Sequence, residues 1–164
     1  MTSEISENSS ELNLKGRAID ILLVEDNLAD IKLTMRAFKE GNLQNTLNVV
    51  HNGQEAVDYV LNEGVYKDAE KYPSPDLILM DIIMPKMDGF EALKRLKEDG
   101  TLNYIPVVML TTSINEEDII KSFKYGAVSY IPKPIAYDDF VKVVNGFNFY
   151  WQIISKLPRK QRKA

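Results

Sequence analysis

The chain has 164 residues, 45% apolar and 27% charged, a balance that fits one globular domain with tails and excludes a disordered, collagen-like or membrane-embedded polypeptide. It has no cysteine and one histidine, His51, which excludes disulfide scaffolds, thiolate chemistry and multi-histidine zinc sites. A formal charge of −4 gives no electrostatic basis for binding DNA, and no run approaches the ~20 apolar residues of a membrane span.

The start is polar and acidic, without the basic-then-apolar pattern of a signal peptide, so a cytoplasmic protein is expected. Residues 1–15, MTSEISENSSELNLK, are too poor in apolar side chains to offset their ordering entropy and read as a flexible tail. The domain is expected over 16–157, followed by a basic tail at 158–164, PRKQRKA. Within it, near-continuous aliphatic runs at Ile19–Val24, Asp76–Met80 and Pro106–Leu110, with weaker ones at Leu47–Val50 and Ala127–Ile131, suit strands covered on both faces. Helical spacing lies between them. Leu28, Ile31, Met35 and Phe38 close on Gly41, Phe90, Leu93 and Leu96 on Gly100, and Ile119, Ile120 and Phe123 on Gly126. The prolines and charges of Gly64–Pro75 read as an exposed loop. Five strands alternating with five helices predict an α/β fold, a parallel sheet wound on both faces with right-handed crossovers.

In such open sheets ligands bind beyond the carboxyl ends of the strands. The residues there are Glu25 and Asp26 after the first strand, Asp81 after the third, Thr111 and Thr112 after the fourth, and Lys133 at the end of the fifth. Singly, the acids are readable as helix caps. Together they repel one another unless a cation neutralises them, and oxygen-only ligation points to a hard ion, magnesium first.

The words ILLVEDN at 21–27, LILMDIIMPKMDG at 77–89, VVMLTT at 107–112 and SYIPKP at 129–134 resemble receiver domains of two-component response regulators, of the stand-alone, chemotaxis-regulator-like kind. Residues 18 to 145 carry the resemblance. The intervals of 30 residues from Asp81 to Thr111 and 22 from Thr111 to Lys133 fit it as well. It implies a flavodoxin-like, doubly wound five-stranded parallel sheet with five helices. It also implies that Asp81 accepts a phosphoryl group from a histidine kinase, and that the protein is no enzyme beyond its own phosphorylation and slow dephosphorylation. Asp26 would bind Mg2+ directly and Glu25 through water, with Asp81 and the backbone carbonyl of Ile83 completing the protein ligands. Lys133 would pair with Asp81 and then with a phosphoryl oxygen. The Thr111 hydroxyl and the backbone N–H groups of Ile83 and Thr112 would face the phosphoryl group, and Tyr130 would be the aromatic switch. The resemblance also implies a cis peptide before Pro134.

Two departures stand out. Glu25-Asp26 replaces the frequent Asp-Asp, and Ile83 is apolar where many members are polar, which leans the phosphoryl lifetime toward long. His51 reads as a surface or loop residue, and Met80, Met84, Met87 and Met109 as packing. Two alternatives stay open: a non-phosphorylated adaptor of the same fold, and a magnesium-dependent phosphatase with an Asp nucleophile, though the latter class needs a second acid where Ile83 stands.

The most individual segment is the last helix. Phe140, Val144, Phe147, Trp151 and Ile154 are spaced 4, 3, 4 and 3, a stripe from Asp139 to about Lys156. One sheet needs only its first turns, so Tyr150, Trp151, Ile153 and Ile154 are expected to overhang as a protein interface, and the resemblance implies a homodimer through the last strand and this helix (Phe147, Tyr150, Trp151, Ile154). This ending, with the EDNLAD opening, is similar to stand-alone regulators that partner phytochrome-type and hybrid kinases.

Overall fold

The computed structural model describes residues 19–40, 45–99, 104–112 and 115–146. Five strands form one parallel sheet: β1 (Ile19–Val24), β2 (Asn45–Val50), β3 (Leu77–Asp81), β4 (Val107–Thr111) and β5 (Ser129–Pro132), in the order β2-β1-β3-β4-β5. The helices between and after them are α1 (Leu28–Glu40), α2 (Gly53–Leu61), α3 (Gly89–Glu98), α4 (Glu116–Lys124) and α5 (Tyr137–Gly146). This is the doubly wound, flavodoxin-like arrangement expected, with strand and helix ends shifted by one or two residues.

Alternation along the strands splits the core into two layers. Ile21, Leu23, Leu77, Leu79, Val108, Leu110 and Ile131 point to one face and pack on Ile31 and Phe38 of α1 and Phe140 of α5. The edge-on pair Phe38–Phe140, with ring centroids 4.6 Å apart, ties these two helices together. Leu22, Val24, Ile78, Met80, Val107 and Met109 face the other way, onto α2 and α3. Every residue of β3 and β4 is buried, as central parallel strands require.

Two helices turn a different face to the sheet than their apolar spacing predicts. In α1 the buried residues are Ile31, Thr34 and Phe38, while Leu28 and Met35 are exposed. In α4 the buried residue is Ser122, and Ile120 and Phe123 are exposed. Thr34 and Ser122 are admitted to the interior because each hydroxyl donates to the carbonyl four residues back, Asp30 O at 2.9 Å and Asp118 O at 2.8 Å.

The 64–75 segment is exposed over most of 64–71, as expected of a loop, but it is anchored to the core. Asn62, left-handed at φ 55°, ends α2, and its side-chain amide donates to the carbonyls of Tyr66 (2.9 Å) and Tyr72 (3.0 Å). Gly64–Tyr66 forms a 3-10 turn, and the rings of Tyr59, Tyr66 and Tyr72 pack mutually at centroid distances of 5.0 to 5.6 Å. Tyr59 belongs to the core, so the segment is stapled onto it, and Ser74 and Pro75 are buried. The two predicted tails and the end of the last helix, with Phe147, Tyr150, Trp151 and Ile154, lie outside the described residues.

Candidate functional site

Register brings the singled-out residues to one sheet edge. Val24 pairs with Met80, Asp81 with Leu110 and Thr111 with Pro132, so Glu25, Asp81, Thr111 and Lys133 emerge side by side. Backbone bonds carry the alignment one residue further: Glu25 N–H donates to Val50 O at 2.9 Å and Lys133 N–H to Thr111 O at 2.7 Å. The Lys133–Pro134 peptide is cis. Asn27 then caps α1, its side-chain oxygen accepting from Asp30 N–H at 3.0 Å, which turns the chain away just past Asp26.

Glu25, Asp81 and Thr111 are buried, whereas Asp26 is exposed. One carboxylate oxygen from each of Glu25, Asp26 and Asp81 lies within 4.8 Å of the others. Lys133 Nζ lies 3.2 Å from Asp81 Oδ2 and 2.5 Å from Glu25 Oε1. It also donates to Asp30 Oδ2 at 2.8 Å. Burial pushes Glu25 up to about 7, against hydrogen bonds from Lys133 and the Asn27 N–H and helped by the charge of Asp81. Burial works against the Lys133 ammonium, yet the hydrogen bonds to Asp30 and Glu25 and the charges of Asp81 and Glu25 outweigh it and hold it protonated, above the ordinary lysine range.

These groups open on a cavity of about 680 Å³ lined by Asp26, Asp30, Asp81, Thr111, Thr112 and Asp118 among others. Lys133 is the one cationic side chain lining it among the described residues, against four aspartates and the Glu25 carboxylate beside it. Such an excess of negative charge, all on oxygen, fits a hard divalent cation. Ile83, also at the mouth, is 76% exposed and apolar. Tyr130, on β5, is half-buried with its ring edge-on to Phe123 at 6.3 Å.

Residues 21–145 match the family described as response regulator receiver domain. The chain belongs to that family. It is similar to the response regulator Rcp1 of Synechocystis sp., 37% identical over 138 residues, covering 84% of this chain and 92% of that protein. Among solved structures it resembles the phosphorylated cyanobacterial phytochrome response regulator RcpA, 40% identical with a TM-score of 0.68, covering 83% of this chain and 95% of that one. It also resembles the Mn2+-bound form of response regulator Rcp1, 38% identical with a TM-score of 0.65, covering 81% and 94%. This receiver is thus a component of two-component signalling, a family that partners histidine kinases and binds divalent metal at an acidic pocket. Among its described residues no helix is long and apolar enough to cross a membrane.

The predicted residues Glu25, Asp26, Asp81, Thr111, Thr112 and Lys133 do meet at one place, and His51 stays at the surface with Nδ1 3.3 Å from Glu25 O. Sequence reasoning missed Asp30 and Asp118. Asp30 had a readable signal, since it stands one helical turn beyond Asp26 and three residues after the Asn27 cap, on the side of α1 that faces the strand ends.

Proposed function

We propose that Asp81 accepts a phosphoryl group from the phosphohistidine of a histidine kinase and that the protein signals through protein contacts. What carries this is the position of Asp81, a buried carboxylate at the mouth of the acidic cavity with Lys133 Nζ 3.2 Å away. An Asp81 oxygen bonds to phosphorus as the phosphorus–nitrogen bond breaks. The electron pair returns to the imidazole, which takes up a proton. Little covalent work falls to the protein, so positioning and charge neutralisation set the rate. Lys133 then pairs with a phosphoryl oxygen, Thr111 turns its hydroxyl toward it, and the backbone N–H groups of Ile83 and Thr112 face it, a preorganised donor set. Glu25, Asp26, Asp81 and the Ile83 carbonyl would hold Mg2+, which when bound neutralises charge on the phosphoryl oxygens. Tyr130, beside Phe123, follows Thr111 as the switch.

The likeness to a phytochrome response regulator supports a kinase of phytochrome or hybrid type as partner, with the exchange in the cytoplasm. A homodimer through β5, α5 and its continuation (Phe147, Tyr150, Trp151, Ile154) belongs to the same proposal. It is supported by the exposed Val128 just before β5 and the exposed Phe123, whose ring lies edge-on to Tyr130. Nothing at Ile83 offers the second acid of a phosphatase.

Incubation with acetyl phosphate and Mg2+, followed by mass spectrometry, tests the acceptor. The wild type is expected to gain one phosphoryl mass and Asp81→Asn none; stoichiometric uptake by a folded Asp81→Asn sinks the assignment.

A further inference from the structure

We infer that Asp30 is a positioning residue that holds the Lys133 ammonium in reserve and sets how easily it turns to a phosphoryl group on Asp81. The inference rests on the acceptor role proposed for Asp81.

An ammonium has three N–H donors and no acceptor. Here three carboxylates surround it: Glu25 Oε1 at 2.5 Å, Asp30 Oδ2 at 2.8 Å and Asp81 Oδ2 at 3.2 Å. The ammonium thus sits nearer to Glu25 and Asp30 than to the acceptor. A new bond to a phosphoryl oxygen requires one of the existing partners to yield. Glu25 is the partner least open to a replacing water, its side chain being 1% exposed. Asp81 is the group being modified. Asp30 is the partner that water can replace, since its side chain is 29% exposed.

The backbone around Asp30 is pinned, so the carboxylate is held in place. Its N–H is taken by the Asn27 side chain at 3.0 Å, and its carbonyl accepts from the buried Thr34 hydroxyl at 2.9 Å. Asp30 is also the acidic residue in the first turn of α1, beside the positive end of the helix dipole. Asp30 therefore competes with the phosphoryl group for Lys133, from a fixed point on α1, without touching the reacting atoms.

The test is a double-mutant cycle in the full-length protein, read as the rate of labelling by acetyl phosphate and as beryllofluoride affinity in Mg2+. Asp30→Asn, and independently Asp30→Ala, should raise both by about two- to fivefold, the worth of one part-exposed charge pair. Asp30→Glu, which keeps the charge and the acceptor, should stay close to wild type. In a Lys133→Met background Asp30→Asn should change nothing, because the competition has lost its object. A gain that persists without Lys133 means that Asp30 acts by plain repulsion of the donor, and overturns the inference. So does a loss, or no change, in Asp30→Asn while the wild type labels on Asp81. A wild type that neither takes the label nor binds the analogue overturns the acceptor role and the Asp30 role together.

Discussion

Gly89 leaves no room for a side chain against the carbonyl of Asp81. A Cβ at Gly89 would overlap that oxygen and come within 2.9 Å of Ile82 Cα, while the Gly89 N–H donates to Ile82 O at 2.8 Å. The start of α3 is therefore seated directly on the backbone of the acceptor. Gly89→Ala must push the two apart, and overpacking of this kind costs about 1–3 kcal/mol. Urea unfolding is expected to show that loss, and the folded fraction to label more slowly than wild type. An alanine variant of unchanged stability contradicts the close approach.

Divalent metal is expected to bind weakly in the absence of phosphate, because Glu25, Asp26 and Asp81 supply few protein ligands. Asp26→Ala should lower Mn2+ affinity in a calorimetric titration by at least about tenfold, since losing even an outer partner of a ligand costs that much. The same variant, or wild type in excess chelator, should label far more slowly. Full-rate labelling in chelator contradicts the acidic triad as a metal centre.

Lys97 of α3 makes stability depend on pH at the alkaline end. Burial lowers it from the ordinary 10.5 to about 8, although Nζ donates to Ile105 O at 2.7 Å. Between about 8 and 10.5 the folded protein holds fewer protons than the unfolded chain, so stability rises with pH across that window. The cost of the buried ammonium is fully present below 8 and fades toward 10.5. Lys97→Met should remove this slope. Its stability relative to wild type should be about 1–3 kcal/mol higher at pH 7 than at pH 10.5 by urea unfolding. Equal differences at the two pH values refute the assignment.

The dimer is decided by sedimentation at micromolar concentration. Trp151→Glu, or a chain ending after Gly146, should be monomeric and still label on Asp81, while the full-length protein shifts toward dimer with beryllofluoride. Burying Tyr150 and Trp151 in such an interface would supply a few kcal/mol at ~25 cal/mol per Å² of apolar area, before association entropy is subtracted. A truncated chain that remains dimeric places the interface elsewhere.

The sheet was legible because its strands are buried on both faces: Leu77–Asp81 and Val107–Thr111 are apolar almost throughout, and such runs have one reading at this length. The acidic edge was legible because strand ends in a parallel sheet all point one way. The helix faces were less so. Helices α1 and α4 expose Leu28, Met35, Ile120 and Phe123 while Thr34 and Ser122 go inside, bonding back to their own helix. Hydrophobic spacing alone does not see a hydroxyl satisfied by its own turn. The stapled 64–75 segment was hidden for a related reason. Prolines and charges dominate its sequence, but three tyrosines and the two carbonyls held by Asn62 decide its structure.

The bond between Lys133 and Asp30 joins residues 103 apart in sequence. During synthesis the acids that follow β1 and the one that ends β3 are laid down before the lysine that balances them. Closing so long a loop costs entropy that is recovered only when β5 docks beside β4. The charged centre is thus complete only once β5 is in place. A nascent chain that already possesses Asp26, Asp81 and Thr111 still lacks the cation that makes them a unit, so competence to receive a signal arrives with the final strand.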